Sequence, residues 1–122
     1  MQEKAKSYRD LVIWQKSHNL VIEIYKITKL FPKEELFGLT SQLRRVSVSV
    51  PANIAEGFAR PGLKDKLKFY SIASGSLNET GYFLFLSNEL GYADTSALVV
   101  QVEEIGKMLN RYIKTIQTNS NF

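Results

Sequence analysis

Cysteine is absent from the 122 residues and histidine occurs once. Without cysteine there are no disulfides, thiolate metal sites or cysteine nucleophiles. The absence agrees with a reducing compartment, and the cytoplasm is the expected location. A lone His18, with no Asp/Glu pair in apolar surroundings, leaves no nucleophile and base to assemble. Gln15 stands three positions before His18, where the Glu-x-x-His motif of di-metal bundles needs a glutamate, so no metal site is expected. No G-x-x-x-x-G-K-[ST] loop is present to cradle a phosphate. An enzyme is therefore not expected, and no cofactor. Long apolar runs are missing too. YFLFL at Tyr82–Leu86 is far too short to cross a bilayer, and the charged start MQEKAKSYRD lacks the apolar core of a signal peptide. Charge of one sign is in modest excess, at +4. That permits a nucleic-acid partner without requiring one.

What is present is helical periodicity. Ile13, Trp14, Ser17, Leu20, Val21, Ile24, Ile27, Thr28 and Phe31 recur as one apolar stripe. Ser7 with Asp10 resembles a capping box, and Phe31-Pro32 ends the helix, because the residue before proline is pushed out of the α region. Leu36, Leu39, Leu43, Val46, Val50, Ile54 and Gly57 form a second stripe. It passes through VSVSV (Val46–Val50), whose local alternation looks like a strand. The alternation covers about five residues and the helical stripe about six turns, so helix wins, with Pro51 expected as a kink. Arg60-Pro61-Gly62 is a turn. The third stripe is Phe69, Tyr70, Ala73, Leu77, Thr80, Leu84 and Asn88, closed by Gly91 as C-cap. Within it SIASGS (Ser71–Ser76) reads as small residues that admit a neighbouring helix, not as a nucleophile elbow. Asp94 or Thr95 caps a fourth helix with the seam Leu98, Val102, Ile105, Leu109, Tyr112 and Ile116. The expectation is one all-α domain over residues 1–122. Its helices span about 10–31, 33–60, 64–90 and 95–117, arranged as an antiparallel up-down-up-down bundle.

Two surface features carry functional weight. On the side of the second helix away from its stripe lie Phe37, Val48, Ala52, Ala55 and Ala59. A helix that is apolar or small all round is usually covered on all sides, which points to a subunit interface. Arg44, Asn53 and Glu56 are the polar groups beside it and need partners if that face is buried. The second feature is basic. Lys107, Arg111 and Lys114 lie opposite the seam of the fourth helix, and no acidic residue follows Glu104. Arg60, Lys64, Lys66 and Lys68 crowd the second turn, offset by Asp65. Arg44 and Arg45 project from the second helix. Such groups suit an RNA or DNA backbone, which they would contact without reading sequence.

DLVIWQKSHNL (Asp10–Leu20), the run from IYKIT to FPKEELFGLTSQLRR (Ile24–Arg45), SVPANIAEG (Ser49–Gly57) and FYSIASGSLNE (Phe69–Glu79) together resemble the four-helix-bundle family of 23S ribosomal RNA intervening-sequence proteins. The likeness runs from about Tyr8 to Tyr112, and the NIAEG element preceded by QLRR is its most specific part. That family is similar to the accessory variability proteins of diversity-generating retroelements. In those relatives the resemblance implies a homopentameric barrel of bundles whose basic surface binds nucleic acid and a reverse transcriptase. Carried onto this chain, it implies a homo-oligomer, most simply a pentamer. Nucleic acid would lie on Arg44, Arg45, Arg60, Lys64, Lys68, Lys107, Arg111 and Lys114. Subunits would meet through Phe37, Val48, Ala52, Asn53, Ala55, Glu56 and Ala59. The alternative is a protein–protein adaptor whose charges only solubilise it; a deep polar pocket with converging carboxylates would instead revive an enzyme.

Overall fold

The Ser7–Asp10 capping box forms, but it closes a single 3-10 turn at Tyr8–Asp10 rather than opening the long helix. The computed structural model describes residues 4–119. Helix α1 (Val12–Ile27) follows and tightens into a 3-10 turn at Thr28–Leu30 before Phe31. Then come α2 (Leu39–Ala59), α3 (Leu63–Glu89) and α4 (Ser96–Thr118). The described residues contain no strand, and VSVSV is helical, with α2 running through a buried Pro51. Asn53 holds the backbone beside the proline: its Nδ2 donates to the Ser49 carbonyl at 2.8 Å.

One boundary differs from the periodic reading. The second helix does not run from Lys33; a 3-10 turn occupies Lys33–Glu35, and the chain breaks at Leu36–Gly38. The cause is Glu35. Its Oε1 accepts the Leu39 N–H at 3.1 Å, satisfying a first-turn donor of α2, and its Oε2 accepts the Tyr92 hydroxyl at 2.7 Å. Leu36 is consequently half-exposed rather than core. Asn88 leaves the core as well, and its Oδ1 instead accepts the Thr95 N–H in the α3–α4 connection. There Gly91 takes φ +74, the left-handed position that favours glycine past a helix end. Asp94 caps α4 through the Ser96 N–H at 3.0 Å, while the Thr95 hydroxyl turns inward to the Leu84 carbonyl.

The stripes converge on one core. Leu20, Ile24, Leu43, Val50, Ile54, Leu77, Leu84, Ile105 and Leu109 are essentially sealed from solvent. Each such side chain contributes about 1.5–3 kcal/mol by leaving water. The broadest contact is between α2 and α3. There the Ser49 and Ser76 hydroxyls bond at 2.9 Å, and Gly57 lies against the Tyr70 ring. Between α3 and α4, Gly81 meets Val102, Gly106 meets Leu77, and Tyr70 meets Tyr112. Leu11–Ile13 line a cleft with Met108, Arg111 and Tyr112 of α4, and Tyr25 and Thr28 meet Arg44 of α2. In every neighbouring pair, earlier residues of one helix meet later residues of the next. One end of the molecule therefore gathers the start of α1, the α2–α3 turn and the end of α4. The other end holds the α1–α2 and α3–α4 connections.

The Glu35–Tyr92 bond clasps those two connections together, supported by Phe31 against Tyr92 at 5.5 Å. The Tyr92 hydroxyl, then the Leu39 N–H, hold the Glu35 carboxyl below its ordinary value of 4.5. A carboxyl depressed in the folded state stabilises the fold above its unfolded value and loses that contribution as pH falls through the lower folded value. Wild type should therefore lose more melting temperature than Tyr92→Phe on acidification below about pH 4.5. Parallel acid profiles of the two proteins would refute the clasp.

Candidate nucleic-acid interface

The antiparallel register sorts the charges by end. Lys107, Arg111 and Lys114 occupy the exposed face of the last half of α4. Lys64 and Lys68 are exposed on the first turns of α3, beside Arg60, and Tyr70 packed on Tyr112 joins the two groups. The start of the chain brings Lys4, Lys6, Arg9 and Lys16 to the same end. Asp10, Glu56 and Asp65 are the described acids of that end, and Glu23 and Glu104, just beyond it, line a cleft with Lys16. The opposite half carries the remaining described acids, from Glu23 to Glu104. A modest net charge is thus distributed as a basic end and an acidic remainder, and the field of the basic end is far stronger than +4 suggests.

Not every cation there is free. The Arg60 Nη2 pairs with Glu56 at 3.1 Å, and its guanidinium lies 4.9 Å over the Phe69 ring. Lys66 serves the fold: its Nζ donates to the Gly57 and Phe58 carbonyls at 3.2 and 2.9 Å, capping the end of α2. Burial holds its ammonium below the ordinary value. Arg44 and Arg45 sit at the other end of α2, away from the rest. Arg44 is also engaged within the chain, with Nε 2.8 Å from the Thr28 hydroxyl and its guanidinium 4.7 Å over Tyr25.

The outer face of α2 is partly open. Val48, Ala52 and Ala59 are exposed and Ala55 half-buried. Phe37 is 93% exposed, but it lies in the break before α2 rather than on the helix. The three polar neighbours find partners without a second subunit: Arg44 on Thr28, Asn53 on Ser49, and Glu56 on Arg60. Polar satisfaction therefore does not require this face to be covered.

Aromatic rings lie beside several of the cations. Lys68 joins Arg60 over Phe69 at 5.9 Å, Lys66 lies 5.7 Å over Phe58, and Arg9 lies 5.7 Å over Tyr8. Tyr8 meets Trp14 edge-on, and Trp14 stacks on His18. The i, i+4 spacing of Trp14 and His18 is the signal that could have revealed the last pair. Tyr112 is half-buried against Tyr70, as its place in the seam implies.

Glu23 and Glu104 share a polar cleft with Lys16 between α1 and α4, but both carboxylates are exposed. Among the described residues no cluster of His, Cys, Asp and Glu is placed to hold a metal. No described helix is long and apolar enough to cross a membrane.

Comparison with known proteins bears on the family and the fold. The family model of the 23S rRNA-intervening sequence protein matches residues 9–111. A crystal structure from Bacteroides thetaiotaomicron VPI-5482, of a protein with unknown function from the S23 ribosomal protein family, is similar at a TM-score of 0.78 and 28% identity. The match covers 84% of this chain and 96% of that one. No curated protein matches.

Proposed function

The chain belongs to the 23S rRNA-intervening sequence protein family, and from that premise we propose that it is a non-enzymatic, homo-oligomeric cytoplasmic bundle that binds an RNA or DNA backbone through its basic end. The observation that carries the reading is the gathering of Arg60, Lys64, Lys68, Lys107, Arg111 and Lys114 at one end, with few acids beside them. Contacts of this kind neutralise phosphates and release counterions, so they bind without selecting sequence. Assembly strengthens them. The homopentamer implied by the family resemblance presents each basic end repeatedly, and multivalent contact raises avidity without any new chemistry.

Labelled single-stranded RNA titrated at increasing salt tests this directly. Neutralisation of about four phosphates gives a slope of log K against log salt near −3. Binding that ignores salt, or none at about 50 mM, overturns the proposal.

A separate observation favours the protein–protein adaptor as the second reading. Phe37, 93% exposed, lines a groove with Leu36, Tyr25, Arg44 and Arg45 at the end opposite the basic cluster, and Leu30 is 71% exposed. Exposed apolar clusters of this kind mark protein contacts. Charge reversal on α4 separates the readings, since an adaptor working through the Phe37 end is indifferent to it.

A further inference from the structure

One flank of α1 carries a line of flat groups that runs from the edge of the core out to solvent. Trp14 packs partly against the core, and its outer neighbour His18 is exposed. The two rings are nearly parallel, 6° apart in plane with centroids at 4.8 Å. Tyr8 closes the lower side edge-on at 5.0 Å. On the same flank, two turns above His18, stands Tyr25, 40% exposed. Lys16, Asn19 and Glu23 face α4 across a cleft, whereas Tyr25 meets Arg44, so the aromatic flank is the one turned toward α2. Trp14 to Tyr25 spans about 16 Å of helix axis.

Arginines bracket this line. Arg9 lies over Tyr8 at one end and Arg44 over Tyr25 at the other. Their charges select the occupant. A second copy laying the same surface against this one would desolvate like charges with nothing opposite them. A ligand that brings a flat apolar ring and a negative charge at every unit satisfies both elements at once. Single-stranded nucleic acid does so, because unstacked bases lie on aromatic faces while the backbone follows the cations. A duplex does not, since its bases are already stacked and paired.

We propose that the Tyr8–Trp14–His18 ladder is a base-stacking platform, and that the nucleic acid held at the basic end is single-stranded, with a base extending the stack past His18. The proposal rests on the phosphate-binding reading above and adds to it the strand type and a second set of contacts.

Trp14 is the chain's sole tryptophan, so its emission reports this site alone. A short single-stranded RNA should quench it and bind about ten- to a hundredfold more tightly than an abasic strand of equal length at the same salt. His18→Ala, at an exposed position, should remove most of that margin and keep the salt dependence, while His18→Phe retains the margin. Equal binding of both strands with unchanged Trp14 emission overturns the platform and leaves the phosphate reading standing. Failure of both strands to bind at low salt removes the phosphate reading and the platform with it. A lowered solution mass for His18→Ala, with nucleic-acid binding unaffected, assigns the ladder to a contact between copies and also overturns the platform.

Discussion

Reversing Lys107, Arg111 and Lys114 to glutamate should weaken single-stranded RNA binding by about a hundredfold and make the salt slope shallower by about 2. These three residues are chosen on physical grounds. They are exposed, they follow one another at helical spacing on α4, and no ion pair among the described residues engages them. A phosphate they neutralise is therefore not competing with an internal carboxylate. Arg60 is a poorer probe, because its reversal also breaks the pair with Glu56 and the contact with Phe69. Arg44 is poorer still, since its Nε holds the Thr28 hydroxyl between α1 and α2. The fold should survive the triple change. None of the three lies in the last turn of α4, so none supports its C-terminal dipole.

A control of equal charge makes the result specific. Reversing Lys26, Lys29 and Lys33 changes net charge identically, but at the end opposite the basic cluster. If the basic end is the site, this second triple should cost no more than a few-fold, because fields at that distance are screened at ordinary ionic strength. Equal losses in the two triples would mean that overall charge, not the basic end, governs binding. No loss in the first would leave nucleic acid without a site on α4.

Much of this arrangement was legible in the sequence, and the failures have identifiable causes. The helical stripes pointed to the correct core because period 3.6 over several turns outweighs local β propensity; VSVSV before Pro51 is the clearest case. The start of α2 was misplaced because Leu36 and Leu39 continue the stripe numerically. Gly38 leaves the helical region, and the Glu35 side chain, bonded to Tyr92, takes the Leu39 N–H there, a long-range arrangement that periodicity does not show. The basic residues were each visible, yet they lie far apart in sequence. Only the register of α3 against α4 and of α1 against α4 brings Lys64, Arg111 and Arg9 to one end. Likewise Arg44 reads as an outward cation until its Thr28 and Tyr25 partners are seen.

The largest change in stability is expected at Tyr70, the residue that fastens the α2–α3 turn to α4 and so holds the basic groups in register. Its ring is sealed from solvent and meets Tyr112 edge-on at 5.3 Å, while Gly57 of α2 lies flat against it. Tyr70→Ala should cost about 3–5 kcal/mol and lower Tm by more than about 10 °C. The hydroxyl behaves differently from the ring. It is buried and meets no hydrogen-bond geometry among the described residues, although the Tyr112 hydroxyl is near enough to disfavour its ionisation. Burial, then Tyr112, push the Tyr70 phenol far above its ordinary value of 10.0. Tyr70→Phe removes an unpaired polar group and should be neutral or stabilising by about 1 kcal/mol. A phenol raised in the folded state contributes stability that is complete below its unfolded value and declines as pH rises beyond it. The Tyr70→Phe protein should therefore lose less stability than wild type above pH 10. A Cβ at position 57 would stand 2.7 Å from Tyr70 Cε1, so Gly57→Ala should cost about 1–3 kcal/mol with the ring present. In a Tyr70→Leu background that penalty should largely vanish, giving a coupling of the same size in a double-mutant cycle. Additive effects would show that the ring does not press on Gly57. A cost above about 1 kcal/mol for Tyr70→Phe would show that the hydroxyl has a partner after all.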